Sequence, residues 1–131
     1  MMLSTQAADF QSALYQLSCR YAQAVDRRDA TQLLELFESS GQIVMPAGEK
    51  QNILTGHEQI AVIPAMLSKQ FELTQHKIHN HTFWQEENQA DPNSAQGEVY
   101  CTAGHLRRGD GKLLELEEGS VQYQDSYFTL V

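Results

Sequence analysis

Three of the five histidines crowd into one short run, Gln75-His76-Lys77-Ile78-His79-Asn80-His81. A neutral imidazole can take and return a proton near pH 7, so acid–base chemistry is the natural use of such a segment. If the run is a strand, alternation puts His76, Ile78 and Asn80 on one face and Lys77, His79 and His81 on the other. The face with Ile78 is expected to point inward, and the face with Lys77 toward solvent or a subunit contact. His79 and His81 have the same-face spacing that strand metal sites use. A metal needs a third and usually a fourth ligand, and no cysteine or carboxylate stands at a telling spacing. No metal is therefore expected.

Two further groups could join such chemistry. Asp26 closes an apolar helical stripe one residue after Val25, with Tyr21 five residues earlier. A carboxylate at that edge points toward the space between helix and sheet. The alternative is a helix-terminal aspartate bonding to nearby backbone or pairing with Arg27 or Arg28. His105 shares an alternating face with Val99, Cys101 and Ala103, whose small side chains leave room for a cavity. The alternative there is a histidine satisfied by a buried hydrogen bond. No nucleophilic triad is readable: there is no G-x-S-x-G turn, and Cys101 and His105 stand roughly 13 Å apart along a strand. Gly109 and Gly111 belong to a hairpin, not to a phosphate-binding loop.

The elements that must position these groups follow from periodicity. Phe10, Ala13, Leu14, Leu17, Tyr21 and Val25 recur at steps of three and four, one face of a first helix. Asp26-Arg27-Arg28-Asp29 breaks the pattern, and Asp29 fits the N-cap of a second helix, with Gln32 as its capping-box partner. Leu33, Leu34, Leu36 and Phe37 give that helix an apolar side, and Gly41 should end it. Ile43-Val44-Met45 is a short strand stopped by Pro46, followed by a turn-rich stretch to Gly56. His57 to Gln70 reads as a third helix, with Ile60, Ile63, Met66 and Leu67 inward and Pro64 kinking or shortening it. Leu73 to Trp84, Gly97 to Arg107 and Lys112 to about Val131 read as long strands. Asp91-Pro92-Asn93-Ser94 and Arg108-Gly109-Asp110-Gly111 supply the turns between them. Helices first and long strands later define an α+β domain, with helices packed on one face of a curved antiparallel sheet.

Composition narrows the function classes. The 131 residues are 41% hydrophobic and 20% charged, which suits a single globular domain spanning residues 1–131 with a real core. Nine basic against 17 acidic residues leave a net charge of −8. An acidic chain without a basic stripe repels phosphate backbones, so neither nucleic acid nor an anionic membrane is an expected partner. No apolar run approaches the roughly 18 residues of a membrane span. The N-terminus lacks the basic start and apolar centre of a signal peptide. Cys19 and Cys101 read as free thiols in a reducing cytoplasm.

The same residues carry a resemblance. Tyr21-Ala22-Gln23-Ala24-Val25-Asp26-Arg27-Arg28-Asp29 resembles the Y-A-x-x-x-D-x-x-D signature of SnoaL-like domains. Thr74-Gln75-His76 resembles the T-x-H that opens that family's first long strand. Gly97 to His105 resembles the following strand, which commonly ends in histidine, and Tyr123-Gln124-Asp125 resembles its Y-x-D. The four motifs stand in the family's order and span about residues 7 to 131. The resemblance implies a nuclear transport factor 2-like cone: a strongly bent antiparallel sheet wrapped around three N-terminal helices, with an apolar pocket. It also implies a homodimer formed through the outer sheet face.

Some relatives, such as scytalone dehydratase and bile acid 7α-dehydratase, are cofactor-free lyases. The resemblance maps their aspartate onto Asp26, their catalytic histidine onto His76, a second histidine onto His105 and a tyrosine onto Tyr21. Val25, Ile78, Asn80, Val99, Cys101 and Ala103 would line the pocket. There are departures. Val25 stands where scytalone dehydratase has a tyrosine, and no tyrosine occurs at Ile43 to Met45. The chain also stops at Val131, before the family's D-G-x-W last strand. The expectation is a cofactor-free lyase or isomerase acting on a small hydrophobic or hydroxylated compound. The competing expectation is a non-catalytic binding or dimerisation module of the same fold.

Overall fold

In the computed structural model, residues 5–47, 50–85, 94–108 and 114–128 are described, without the side chains of 5–10, 46–47, 51, 94, 108 and 114–128. The first element is a 22-residue helix, α1 (Thr5–Asp26). Its apolar stripe is real from Leu14 through Leu17 and Tyr21 to Val25, whereas Ala13 is exposed and Phe10 lies outside the described side chains. The helix stops by a two-bond reversal. The Asp29 N–H reaches the Ala24 carbonyl at 2.9 Å, and the Arg28 N–H reaches Val25 at 3.1 Å. That pairing requires a left-handed residue between them, and Arg28 takes it at φ 57°.

The reversal leads directly into α2 (Ala30–Glu35). Asp29 caps it as expected, its carboxylate accepting the Gln32 N–H at 3.0 Å. The helix ends well before Gly41, with Leu36 as its C-terminal cap. Gly41 instead closes the following turn, donating its N–H to the Glu38 carbonyl at 2.9 Å.

The segment from Gln42 to Thr55 corrects the sequence expectation. β1 (Gln42–Ala47) runs through Pro46 and pairs antiparallel with a second strand, β2 (Lys50–Thr55), where turns were expected. Proline removes one ladder donor but is tolerated where a strand has a free edge, and among the described residues this sheet has two strands. Gly56 then turns the chain at φ 79°. The expected third helix is two helices, α3 (Gly56–Ile60) and α4 (Val62–Gln70), so among the described residues four helices rather than three precede the long strands. Pro64 explains the split. It has no N–H for the Ile60 carbonyl, and it sits in the first turn of α4, where no such bond is needed.

The long strands are β3 (Leu73–Trp84), β4 (Ser94–Arg108) and β5 (Leu114–Phe128), in the order β3-β4-β5 and antiparallel. β3 has the bounds expected of it, and β4 starts three residues earlier than expected. The turns at Asp91-Pro92-Asn93 and Gly109-Asp110-Gly111 lie outside the described residues.

One irregularity redirects β3. Ile78 pairs with Cys101 but His81 pairs with Val99, so β3 carries an extra residue between them. This bulge reverses the alternation. His76 and Ile78 face inward as expected, but Asn80 is exposed, and His81 and Phe83 turn toward the helices. The expected inward position of Asn80 is thus corrected.

Among the described residues the core has two centres. Ala24, Val25, Leu33, Ile60 and Ile63 are buried together, with Tyr21, Phe37, Ile43 and Leu54 packed around them. Leu14 and Ala95 form the second centre with Leu17 and Phe83. α1 therefore runs antiparallel along β3, its early residues near Phe83 and its last residue near His76. Neither Cys19 nor Cys101 is in a disulfide. Among the described residues, no helix is long and apolar enough to cross a membrane.

Candidate functional site

The end of α1 and the start of β3 meet at Asp26. Its Oδ1 lies 2.7 Å from His76 Nδ1, and its Oδ2 accepts the backbone N–H of His76 at 2.9 Å. Among the described residues β3 is the edge strand of its sheet, and Asp26 satisfies an N–H that this edge would otherwise expose. Oδ1 also accepts the hydroxyl of Thr74 at 3.1 Å. The side chains of His76 and Asp26 are only 11% and 21% exposed, so water competes weakly for these bonds. A carboxylate can only accept, so Nδ1 carries the proton and Nε2 of neutral His76 presents its lone pair.

A chain of aromatic contacts adjoins the pair. The His105 ring stands edge-on to His76 with centroids 6.1 Å apart. Phe71 stacks on His105 at 4.4 Å, and the Arg107 guanidinium lies 5.0 Å from the Phe71 centroid. Asp26, His76 and His105, named from widely separated segments, are thus brought together. Tyr21 packs in the first core centre, its ring edge-on to Phe37 at 6.4 Å. Five helical residues rotate a side chain by about 140°, which separates the directions of Tyr21 and Asp26.

The expected lining residues divide differently. Val25, Val99, Cys101 and Ala103 are buried, at most 3% exposed, and fill the interior. Ile78 is half-buried, and Asn80 is exposed. A groove of about 490 Å³ does reach Asp26 and Thr74. Its other walls are Leu73, Gln75 and Lys77 of β3 and Thr102, Gly104 and Leu106 of β4, all from the outward sheet face. Asp26 can border this groove because it sits on the strand edge, between the two faces.

The inward turn of His81 creates a second polar contact. Its Nε2 lies 2.6 Å from Ser18 Oγ on α1, and its ring packs against Phe83 at 4.1 Å and edge-on to Tyr15 at 5.5 Å. Burial pushes the His81 imidazole down to about 4, so it is neutral at pH 7. His79 remains outside, bonded to Thr102 at 2.7 Å. The two histidines weighed as a metal pair therefore face opposite ways, and among the described residues no three His, Cys, Asp or Glu side chains gather around a common point.

The sequence placed Thr74 only in the T-x-H motif and offered Arg28 only as an ion-pair alternative for Asp26, and it pointed to neither the Arg28–Thr74 nor the Thr74–Asp26 contact. Thr74 carried a usable signal: alternation puts it on His76's face, and it is a polar residue at a buried position. Arg28 was expected at most as an ion-pair partner of Asp26; its reach to Thr74 had no signal, because it depends on the left-handed turn.

Residues 6–128 match the sequence model of the SnoaL-like domain. The chain belongs to the SnoaL-like family. Solved structures share the fold. A nuclear transport factor 2-like superfamily protein from Salmonella enterica is 16% identical over 95% of this SnoaL-like chain and 82% of its own, with a TM-score of 0.73. A candidate scytalone dehydratase from Novosphingobium aromaticivorans is 18% identical over 91% of this chain and 73% of its own, with a TM-score of 0.69. Aln2 from a Streptomyces species is 14% identical over 99% and 85%, with a TM-score of 0.70. No curated protein sequence matches the chain. The α+β, nuclear transport factor 2-like fold is therefore that of this SnoaL-like protein.

Proposed function

We propose that this SnoaL-like protein is a cofactor-independent lyase or isomerase that uses Asp26 and His76 to move a proton on a small hydrophobic or hydroxylated compound. The observation that carries this reading is the 2.7 Å contact between Asp26 Oδ1 and His76 Nδ1, which leaves Nε2 as the basic atom. In an elimination, Nε2 takes the proton from a carbon next to the one bearing a hydroxyl. The C–H electron pair becomes the new double bond, and the C–O bond breaks. The imidazolium then gives its proton to the departing hydroxyl, which leaves as water. In an isomerisation the proton returns to a different carbon. Asp26 stays ionised and stabilises the imidazolium during the step. His105, beside His76, is the second group able to reach a leaving oxygen. The name of the Novosphingobium neighbour is consistent with a dehydratase, and the missing tyrosines argue that scytalone is not the substrate.

The test is a panel of β-hydroxycarbonyl and hydroxylated aromatic compounds, followed by the absorbance of the conjugated product and by deuterium uptake from D2O. We expect turnover by the wild type and a loss of roughly 10²–10⁴-fold in His76→Ala. Ligand binding that is equal in wild type and His76→Ala, with turnover by neither, would establish the binding module instead.

We further propose that the functional unit is a homodimer joined through the outer sheet face. Leu73, Trp84 and Tyr100 are 63%, 41% and 46% exposed on that face, where a second copy would remove them from water. Sedimentation velocity should give a dimer for the wild type and a monomer for Tyr100→Glu. A monomeric wild type at micromolar concentration would reject this arrangement.

A further inference from the structure

We propose that Arg28, acting through Thr74, is a positioning residue that holds the Asp26 carboxylate against His76 Nδ1 and so keeps His76 in one tautomer. The inference rests on the Asp26–His76 reading for its catalytic meaning, but its geometry stands independently.

The chain of bonds has only one consistent polarity. Arg28 Nη1 donates to Thr74 Oγ1 at 2.7 Å, because a guanidinium has donors and no acceptor. The threonine hydroxyl has a single hydrogen. With its oxygen accepting from Arg28, that hydrogen goes to Asp26 Oδ1 at 3.1 Å. Thr74 is only 8% exposed, so water offers its hydroxyl little alternative. Oδ1 then receives a second proton-bearing partner, His76 Nδ1, and Oδ2 receives the His76 backbone N–H. Every described partner of Asp26 is therefore a donor when the carboxylate is ionised. The opposite His76 tautomer would set a bare nitrogen lone pair against a carboxylate oxygen.

Arg28 is held for this task by its backbone. The left-handed φ of 57° that ends α1 turns its side chain back over the helix terminus, where the same Nη1 also donates to the Val25 carbonyl at 2.7 Å. Glycine is the residue that such a terminus ordinarily favours, so helix termination alone does not call for arginine. An arginine there is explained by what its guanidinium touches. The chain Arg28–Thr74–Asp26–His76 connects the helix end to the strand edge and terminates on the imidazole.

The test uses nitrogen NMR of the His76 ring in the intact protein, at a pH where the ring is neutral. The wild type should show the Nδ1–H form predominating. Arg28→Gly keeps the backbone conformation and removes the guanidinium; the freed Thr74 hydroxyl no longer anchors the Asp26 carboxylate against Nδ1, and His76 should shift toward a mixture of tautomers. Thr74→Val should do the same, while Thr74→Ser should keep the wild-type signature. If a substrate has been found, kcat should fall roughly tenfold in Arg28→Gly with KM little changed. A purely structural role for Arg28 would lower the melting temperature and leave the tautomer unchanged. An unaltered ring signature in both folded Arg28→Gly and folded Thr74→Val overturns the proposal. Failure of the catalytic reading would appear separately, as absence of turnover with the tautomer effect intact.

Discussion

Asp26 accepts from His76 twice, from the ring Nδ1 at 2.7 Å and from the backbone N–H at 2.9 Å. The carboxylate is thereby referenced to the strand and to the imidazole together. The ring need not find its orientation from packing alone, because the group that orients it is bonded to the same residue's backbone. A second contact, Ser18 to His81, ties the same helix to the same strand farther along. From Ser18 to Asp26 the helix rises about 12 Å. From His76 to His81 the bulged strand matches the four steps from Ala103 to Val99 on its partner, about 13 Å. The extra residue lets both contacts form from one helix face.

Replacing Asp26 by asparagine should leave a folded protein with a far slower reaction. The amide keeps the shape but presents a donor or a weaker acceptor to His76, which no longer stabilises the imidazolium. A fall of roughly 10²–10⁴-fold in kcat is expected, with an unchanged far-ultraviolet circular dichroism spectrum. Activity within threefold of the wild type would remove Asp26 from the mechanism.

His81 should make the fold sensitive to acid. Its folded-state affinity for a proton is depressed from the ordinary 6.5 to about 4 by burial. Between those values the unfolded chain binds more protons than the folded one, so stability rises with pH there. The contribution is fully present above about pH 6.5 and is lost as pH falls toward 4. Because solvent still reaches part of the ring, the loss should be about 1–2 kcal/mol, not the full value of the shift. Urea midpoints at pH 7, 5.5 and 4 should show this slope in the wild type and lack that component in His81→Leu. Parallel pH profiles for the two proteins would refute it.

Gly56→Ala should destabilise the protein by about 1–2 kcal/mol. The cost comes from the backbone conformation at φ 79°, since an added Cβ would meet its nearest neighbour, the Ser39 carbonyl, at an ordinary 3.4 Å. Thermal denaturation should report a lower midpoint, with the Asp26–His76 pair and any turnover unaffected.

Leu33→Ala tests the first core centre. Leu33 is fully buried against Ala24, Val25, Ile60 and Ile63, where α1 and α2 meet the later helices. Truncation should cost about 2–5 kcal/mol by lost burial and the cavity left behind. Chemical denaturation measures it directly, and a cost below 1 kcal/mol would show that this centre does not hold the helices together.

Local order was largely legible in the amino-acid sequence. The three-four spacing from Leu14 to Val25 identifies α1, the Asp29–Gln32 spacing identifies the start of α2, and the bounds Leu73 to Trp84 expected of the first long strand are those of β3, although its alternation holds only as far as Ile78. The candidate pair was legible too, since Asp26 and His76 stand out by residue type, position and resemblance. These features depend on neighbours a few residues apart, and sequence records such neighbours directly. Other features required the tertiary structure. β2 was missed because its polar residues carry no strand pattern until β1 lies beside them. The inward turn of His81 depends on a bulge, which exists only as a mismatch between two paired strands. The link from Arg28 through Thr74 to Asp26 joins residues 46 and 48 positions apart, and a left-handed turn aims it. Sequence determined which groups were available for chemistry, and packing decided which of them meet, because hydrogen bonds act over about 3 Å and cannot be read from spacing along the chain.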